Sequence, residues 1–388
     1  MSERMPPTHM SSWNLSRLLY WIIAFLAIGY LPLAFTYMWH FFGTNSPAWQ
    51  TSLTAFSVSP DYAVGAGSVD AARKLDYAHS RVIMLVHTTL GSLALALAMF
   101  QFVTRLRVRY PVLHRWTGRV YMALMTVSIV GSIAFLLRNN AVRFWMGMAF
   151  DLQLWALAAS TLLTGFVALW AIRKRDIVTH QAWMCMNIAL MLTAPLLRVF
   201  WIWIGPLWYR ADLLSNLGAG SIVLAILAPG GGAIAFMLTR RNGVRLPVPD
   251  LQVPSIRTLL AVAAAGALIT VVCYNYLPAD FPYELLGVHL VPFVGYLLIC
   301  LGGHLRALAR QDRTAAWQWK ILFAGAALIP AFTNAGWMAS QLILSPPNAY
   351  LVATMIAASG SILLSFAVVV DLSSRSARGP AAAQARVG

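Results

Sequence analysis

The segment VIMLVHTTLGSLALALAMFQFVTRLRVRYPVLHRWTGRVYMALMTVSIVGSIAFLL, residues 82–137, decides the fold class. Two apolar runs, 82–104 and 117–137, flank a stretch dense in arginine. Each run is close to the roughly 20 residues that a helix needs to cross a hydrocarbon core. Lipid offers no hydrogen bonds, so such runs must be helices or a closed barrel. Continuous apolar sequence of this length excludes the alternating pattern of a barrel. Working outward, similar runs occupy about 18–40, 150–171, 182–204, 213–238, 257–277, 285–305, 319–341 and 349–370. The reading is an all-α integral membrane protein with about ten transmembrane helices. A four-helix core, helices two to five, bears the histidines, and other helices flank it. Five pieces are expected: 1–80 with the first helix and a long loop, the core 81–204, a sixth helix and basic loop 205–256, a four-helix bundle 257–371, and a disordered tail 372–388.

Composition agrees. Of 388 residues 60% are hydrophobic and only 10% charged, and mean hydropathy is +0.69. A soluble domain of this size needs more charge to cover its surface. The run from Leu18 to Phe42 is too long for a signal peptide and lacks a small-x-small cleavage site, so it reads as a retained helix. Cys185, Cys273 and Cys300 lie in apolar segments and offer neither a disulfide framework nor a CxxC metal site. The net charge of +16 first suggests a nucleic-acid partner, but its distribution says otherwise. Segments 1–17, 105–119, 173–180, 240–257, 306–320 and 375–386 hold 21 of the 28 Lys and Arg and, with Asp371, five acids. The alternate segments hold six basic and, with Asp151, seven acidic residues. This is the positive-inside pattern. It implies a multi-pass protein of the cell inner membrane with both termini in the cytoplasm, no nucleic-acid partner, and basic loops against anionic lipid.

Polar residues inside spans are costly and face the bundle interior, so their phase is informative. His87, Gly91, Ala94, Ala98 and Gln101 share one face of helix two. His114, Gly118, Tyr121, Met125, Ser128 and Ser132 form a stripe on helix three, and His180, Met184, Asn187, Met191, Ala194 and Arg198 one on helix five. His87 lies about six residues, roughly 9 Å, inside its boundary, and His289 is placed similarly in helix eight. His114 and His180 begin their helices at the cytoplasmic boundary. Two histidines at matching depth on neighbouring helices are the minimum for six-coordinate b-type haem, and no CxxCH permits covalent attachment. The expected iron ligands are His114 and His180, set against the bland reading of interfacial histidines. Arg198 pairs with Asp151, Asp212 or a propionate, or else snorkels. Ala228-Pro229-Gly230-Gly231-Gly232 in helix six reads as a packing kink, with an unwound transporter-like segment as the alternative. The spans hold almost no Asp or Glu, which argues against an ion-driven transporter.

The stretch from His87 to Trp201 resembles a bacterial family of predicted membrane proteins known only as a domain of unknown function, DUF2306. The matching pieces are VHTTLGSLALALAMFQFVTRLRVRYPVLHRWTGRVY, RKRDIVTHQAWM and LLRVF. The motif residues fall on His87, Gln101, Phe102, His114, Arg115, Gly118, Arg119, Tyr121, His180, Trp183, Met184, Leu197 and Arg198. The family commonly has an arginine two residues after the methionine, where this chain has Met186. The family's name implies no activity. A loose similarity to cytochrome b561-like carriers implies haem b and a quinone or other redox partner, with His87, Arg115, Tyr121, Trp183, Met184 and Arg198 as further cofactor contacts. Helix four has no histidine to pair with His87. The competing class is a non-redox membrane protein: a transporter, a lipid-binding protein or an assembly factor.

Overall fold

The computed structural model describes residues 12–43, 48–66, 68–139, 147–204, 213–239 and 252–384. Ten helical rods are long and apolar enough to cross a membrane. They are α1 (Ser12–Thr36), α2 (Arg81–Gln101), α3 (Pro111–Arg138), α4 (Gly147–Arg173), α5 (Ile177–Met191, continued by Thr193–Val199 and a π turn Phe200–Ile204), α6 (Leu213–Thr239), α7 (Ile256–Tyr274), α8 (Glu284–Ala309), α9 (Arg313–Ala327 and Ile329–Ser340) and α10 (Pro346–Val352, a π turn Ala353–Ala357, and Ala358–Gln384). All ten expected spans are present. The breaks at Leu192 in α5 and Leu328 in α9 fall just before prolines. Pro195 and Pro330 have no N–H for the carbonyl four residues back, and a turn residue, Leu192 or Leu328, precedes each new segment. One end of the rods carries the arginine-rich connections and is called here the basic end; the other is the far end.

α2 packs along α3, α4 along α5, and α8 along α9, while α1 lies on α2. α6 sits centrally against α5, α8 and α10. Its glycines explain how. A Cβ on Gly230 would sit 2.9 Å from the Tyr296 ring of α8, and one on Gly232 would sit 3.0 Å from the Met186 backbone of α5. The Pro-Gly stretch does not unwind the helix, the alternative reading: α6 runs unbroken to Thr239 with Pro229 inside it. Tight packing on both sides holds it, and the small residues permit that packing.

Two further expectations change. The long connection after α1 reads as a loop whose first part is rich in Ser, Thr, Gly and Pro and whose end, SVDAARKLDYAHS, can be helical. Instead it contains three short helices, Trp49–Ser57, Pro60–Val64 and Val69–His79. Ser59 and Ser68 cap the last two by accepting the Tyr62 and Ala71 N–H groups, each at 3.1 Å. Serine there is a helix start signal as much as a loop residue. The chain from residue 372, expected as a disordered tail, continues α10 as far as Gln384. Contacts at its root account for this. Gln318 donates to Ser373 at 2.6 Å, Ser374 donates to Asp176 at 2.5 Å, and Arg375 pairs with Asp371.

Those contacts tie α10 to two hairpins with the same local construction. The α4–α5 turn has Arg175 at φ 60° and the α8–α9 turn has Gln311 at φ 56°. The following aspartates, Asp176 and Asp312, cap the next helix. His180 Nδ1 lies 2.9 Å from the Ala168 carbonyl, and His304 Nδ1 lies 2.7 Å from that of Ala316. The histidine sits on opposite strands of the two hairpins, but the tie is the same.

Candidate functional site

Three of the expected residues, His114, Arg115 and His180, lie at the basic end of the core. His114 opens α3 one turn after Pro111 and lies in the electrostatic field of Arg107, His180 and Arg115. Its Nδ1 is buried and has no hydrogen-bond partner among the described residues. His180 opens α5 behind the Asp176 cap. A carbonyl only accepts, so the 2.9 Å contact to Ala168 requires the proton on Nδ1 and leaves Nε2 as a lone pair. Gln101 holds α2 to the start of α3 by donating to Thr117 at 2.7 Å, and Gly118 leaves room for that amide. Imidazoles with a free nitrogen beside guanidinium groups suit a ligand with a metal or donor centre and anionic arms. Among the described residues no group of three or more His, Cys, Asp or Glu forms a metal cluster; bis-imidazole ligation requires only two.

Other expected residues lie elsewhere. α3 and α5 make little direct contact, and the expected side-by-side packing is replaced by a bridge. The Tyr121 hydroxyl donates to Asn187 Oδ1, and Asn187 Nδ2 donates to the Thr161 carbonyl at 2.7 Å and to Thr164 Oγ1 at 3.1 Å. All four residues are buried. Tyr121 therefore belongs to a satisfied polar knot joining α3, α4 and α5. Trp183 packs edge-on to Phe366 of α10 at 5.4 Å. Met184 packs in the apolar core between α2, α3 and α5.

His87 and Arg198 meet at the far end. Eighteen residues separate His180 from Arg198, roughly 27 Å of helix, so Arg198 does not serve a group held at His180. His87 Nδ1 lies 2.9 Å from the Ser128 carbonyl, and Ser128 Oγ donates to the His87 carbonyl at 2.8 Å. Gly91 and Gly131 allow this close approach of α2 and α3. Arg198 bears on His87 electrostatically. Its own contacts are Gln50 Oε1 and the Ala194 carbonyl, both at 3.4 Å, and the rings of Trp201 and Tyr30 at 4.8 and 5.8 Å. The expected Asp151 partner is absent because Asp151 faces Arg73 instead. Asp212, the other expected partner, lies outside the described residues.

Arg73 was not legible as a functional or structural centre. It comes from the Val69–His79 helix, is 2% exposed, and lies 5.9 Å from the Tyr77 ring and 5.8 Å from that of Phe135. Burial pushes its pKa down from the ordinary arginine value, while Tyr77, Asp76, Tyr37 and Asp151 act in the opposite direction. The available signal was an arginine three and four residues before Asp76 and Tyr77 on a short helix. Nothing local revealed Asp151.

Fold and site together define a ten-helix, multi-pass membrane protein with a histidine-bearing core between two polar ends. Residues 84–229 match the model of the family described as "Predicted membrane protein (DUF2306)". The match takes in α2 to α5 and continues into α6, the helix packed on α5, so it extends beyond the core boundary expected at residue 204. Comparison with the curated proteins and with the solved structures finds no match.

Proposed function

We propose that the protein is an electron carrier of the bacterial inner membrane that holds b-type haem between His114 and His180. One observation carries this reading: at the basic end of the core, His114 Nδ1 has no hydrogen-bond partner among the described residues and lies in the field of Arg107, His180 and Arg115, while His180 is held by Nδ1 to the Ala168 carbonyl, which turns its Nε2 to a ligand. His114 and His180 would hold the iron, Arg107 and Arg115 the propionates, and the cofactor would supply one-electron transfer. Ala168 orients His180, as outer-shell carbonyls orient metal-ligating imidazoles generally. A membrane quinone is the redox partner this reading implies. The absorption spectrum of the purified protein, oxidised and reduced, tests it.

A second reading has its own observation. The histidine–carbonyl tie recurs at His304, where it joins α8 to α9. On that reading His180 is a hairpin fastening, and His114, Arg107 and Arg115 take the phosphate of a lipid. The protein is then a non-redox lipid-binding protein, transporter or assembly factor, and no haem spectrum appears.

Both readings put the basic end and both termini in the cytoplasm, from the arginine distribution. Reporter fusions after residues 110, 176, 248, 312 and 380 should read cytoplasmic, and those after 60 and 280 should not. A cytoplasmic signal at 60 would invert the first hairpin and overturn the orientation.

A further inference from the structure

The far-end cluster is independent of the histidine pair and supports its own assignment. Arg198 sits half-buried within the span formed by Ile177–Ile202. Among the described residues, no carboxylate lies within ion-pair distance of it. Among the described residues its hydrogen bonds, to Gln50 and to Ala194, are long and run to neutral acceptors. A guanidinium carries five N–H donors in a fixed fork that fits phosphate or carboxylate. A charge held in a span is costly unless compensated, and aromatic faces compensate only partly. Trp201 and Tyr30 flank the group with their rings, and among the described residues its remaining donors have no acceptor. The π turn at Phe200–Ile204 follows directly, an irregularity that helices often place at binding sites. Gln50 reaches the site from the Trp49–Ser57 helix, so protein borders it on the far-end side, and α1 supplies Tyr30.

We propose that Arg198, with Gln50, Tyr30 and Trp201, binds the anionic phosphate headgroup of a lipid in the leaflet at the far end. A free phosphate ion offers the same oxygens without acyl chains, so the test separates the two sources.

The experiment is native mass spectrometry of the full-length protein released from detergent, titrated with dioleoylphosphatidylglycerol. One tightly retained lipid is expected. Arg198→Gln should weaken it about tenfold, the worth of one charge-assisted hydrogen bond. Arg313→Gln, at the basic end, should leave it unchanged. Gln50→Glu places a carboxylate beside Arg198 and should displace the lipid while raising the unfolding midpoint. This variant carries the test should Arg198→Gln fail to fold. Insensitivity of the retained lipid to excess inorganic phosphate supports the lipid as the source; full competition by phosphate overturns it in favour of the free ion. Wild-type lipid retention in either Arg198→Gln or Gln50→Glu overturns the site. So does a marked gain in lipid retention in Asp212→Asn, which would make Asp212 the partner that occupies Arg198 in the native protein.

Discussion

Alanine at either His114 or His180 is expected to abolish the haem absorption of the purified protein completely, each change alone being sufficient. On the proposed reading each residue would supply one nitrogen to the iron, so either loss would leave the iron one ligand short. The closest other core histidine, His87, is at the far end, fastened to Ser128. His87→Ala should therefore retain the spectrum. Arg115→Gln should retain it too, with weaker haem retention on dilution, because it removes a propionate contact and not a ligand. Loss in one histidine variant but not the other would break the pairing. Equal folded yield of all four variants, read by size-exclusion profile, separates ligand loss from misfolding.

Asn187→Leu is expected to give the largest loss of stability. The asparagine joins three helices through Tyr121, Thr161 and Thr164. Leucine would remove all three bonds and strand the Tyr121 hydroxyl away from water. It would also press on Gly165, where a Cβ would already lie 3.3 Å from Asn187 Nδ2. Interhelical hydrogen bonds in bilayers contribute about 0.6 kcal/mol on average, and a stranded buried polar group costs about 1–3 kcal/mol more. The combined loss should reach about 2–4 kcal/mol by unfolding in mixed detergent. Tyr121→Phe alone should cost about 1 kcal/mol. The double variant should be more stable than the sum of the two losses implies, because no hydroxyl remains stranded. Strict additivity would show that the two side chains do not share one network.

The fold was legible where it depends on one-dimensional quantities. Apolar length gave the ten spans, and the 3.6-residue period gave the polar stripes that hold His87, Tyr121 and Asn187. Tertiary context decided the rest. Ala228 to Gly232 looks like a helix breaker, yet glycine is also what lets α6 press against Tyr296 and Met186. Pro195 and Pro330 interrupt α5 and α9, although both stretches read as single apolar runs. At the candidate site, shared depth pointed to His114 and His180, and His114 lies in the field of His180 and Arg115. Arg198 was legible as a costly charge, but its neighbours were not: Gln50 lies 148 residues away in the chain. Arg73 and Asp151 act on each other across 78 residues of chain, and no periodicity links a connecting helix to a span.

The central claim is that the basic end of the core is a haem site, and one spectrum tests it most directly. The full-length protein, purified from cells supplied with haem precursor, should show a Soret band. On reduction with dithionite the band should shift and sharpened visible bands should appear, as expected of bis-histidine b-type haem. A protein that is folded, binds lipid and shows no Soret band under those conditions would contradict the claim and leave His114, Arg107 and Arg115 to the lipid-phosphate reading.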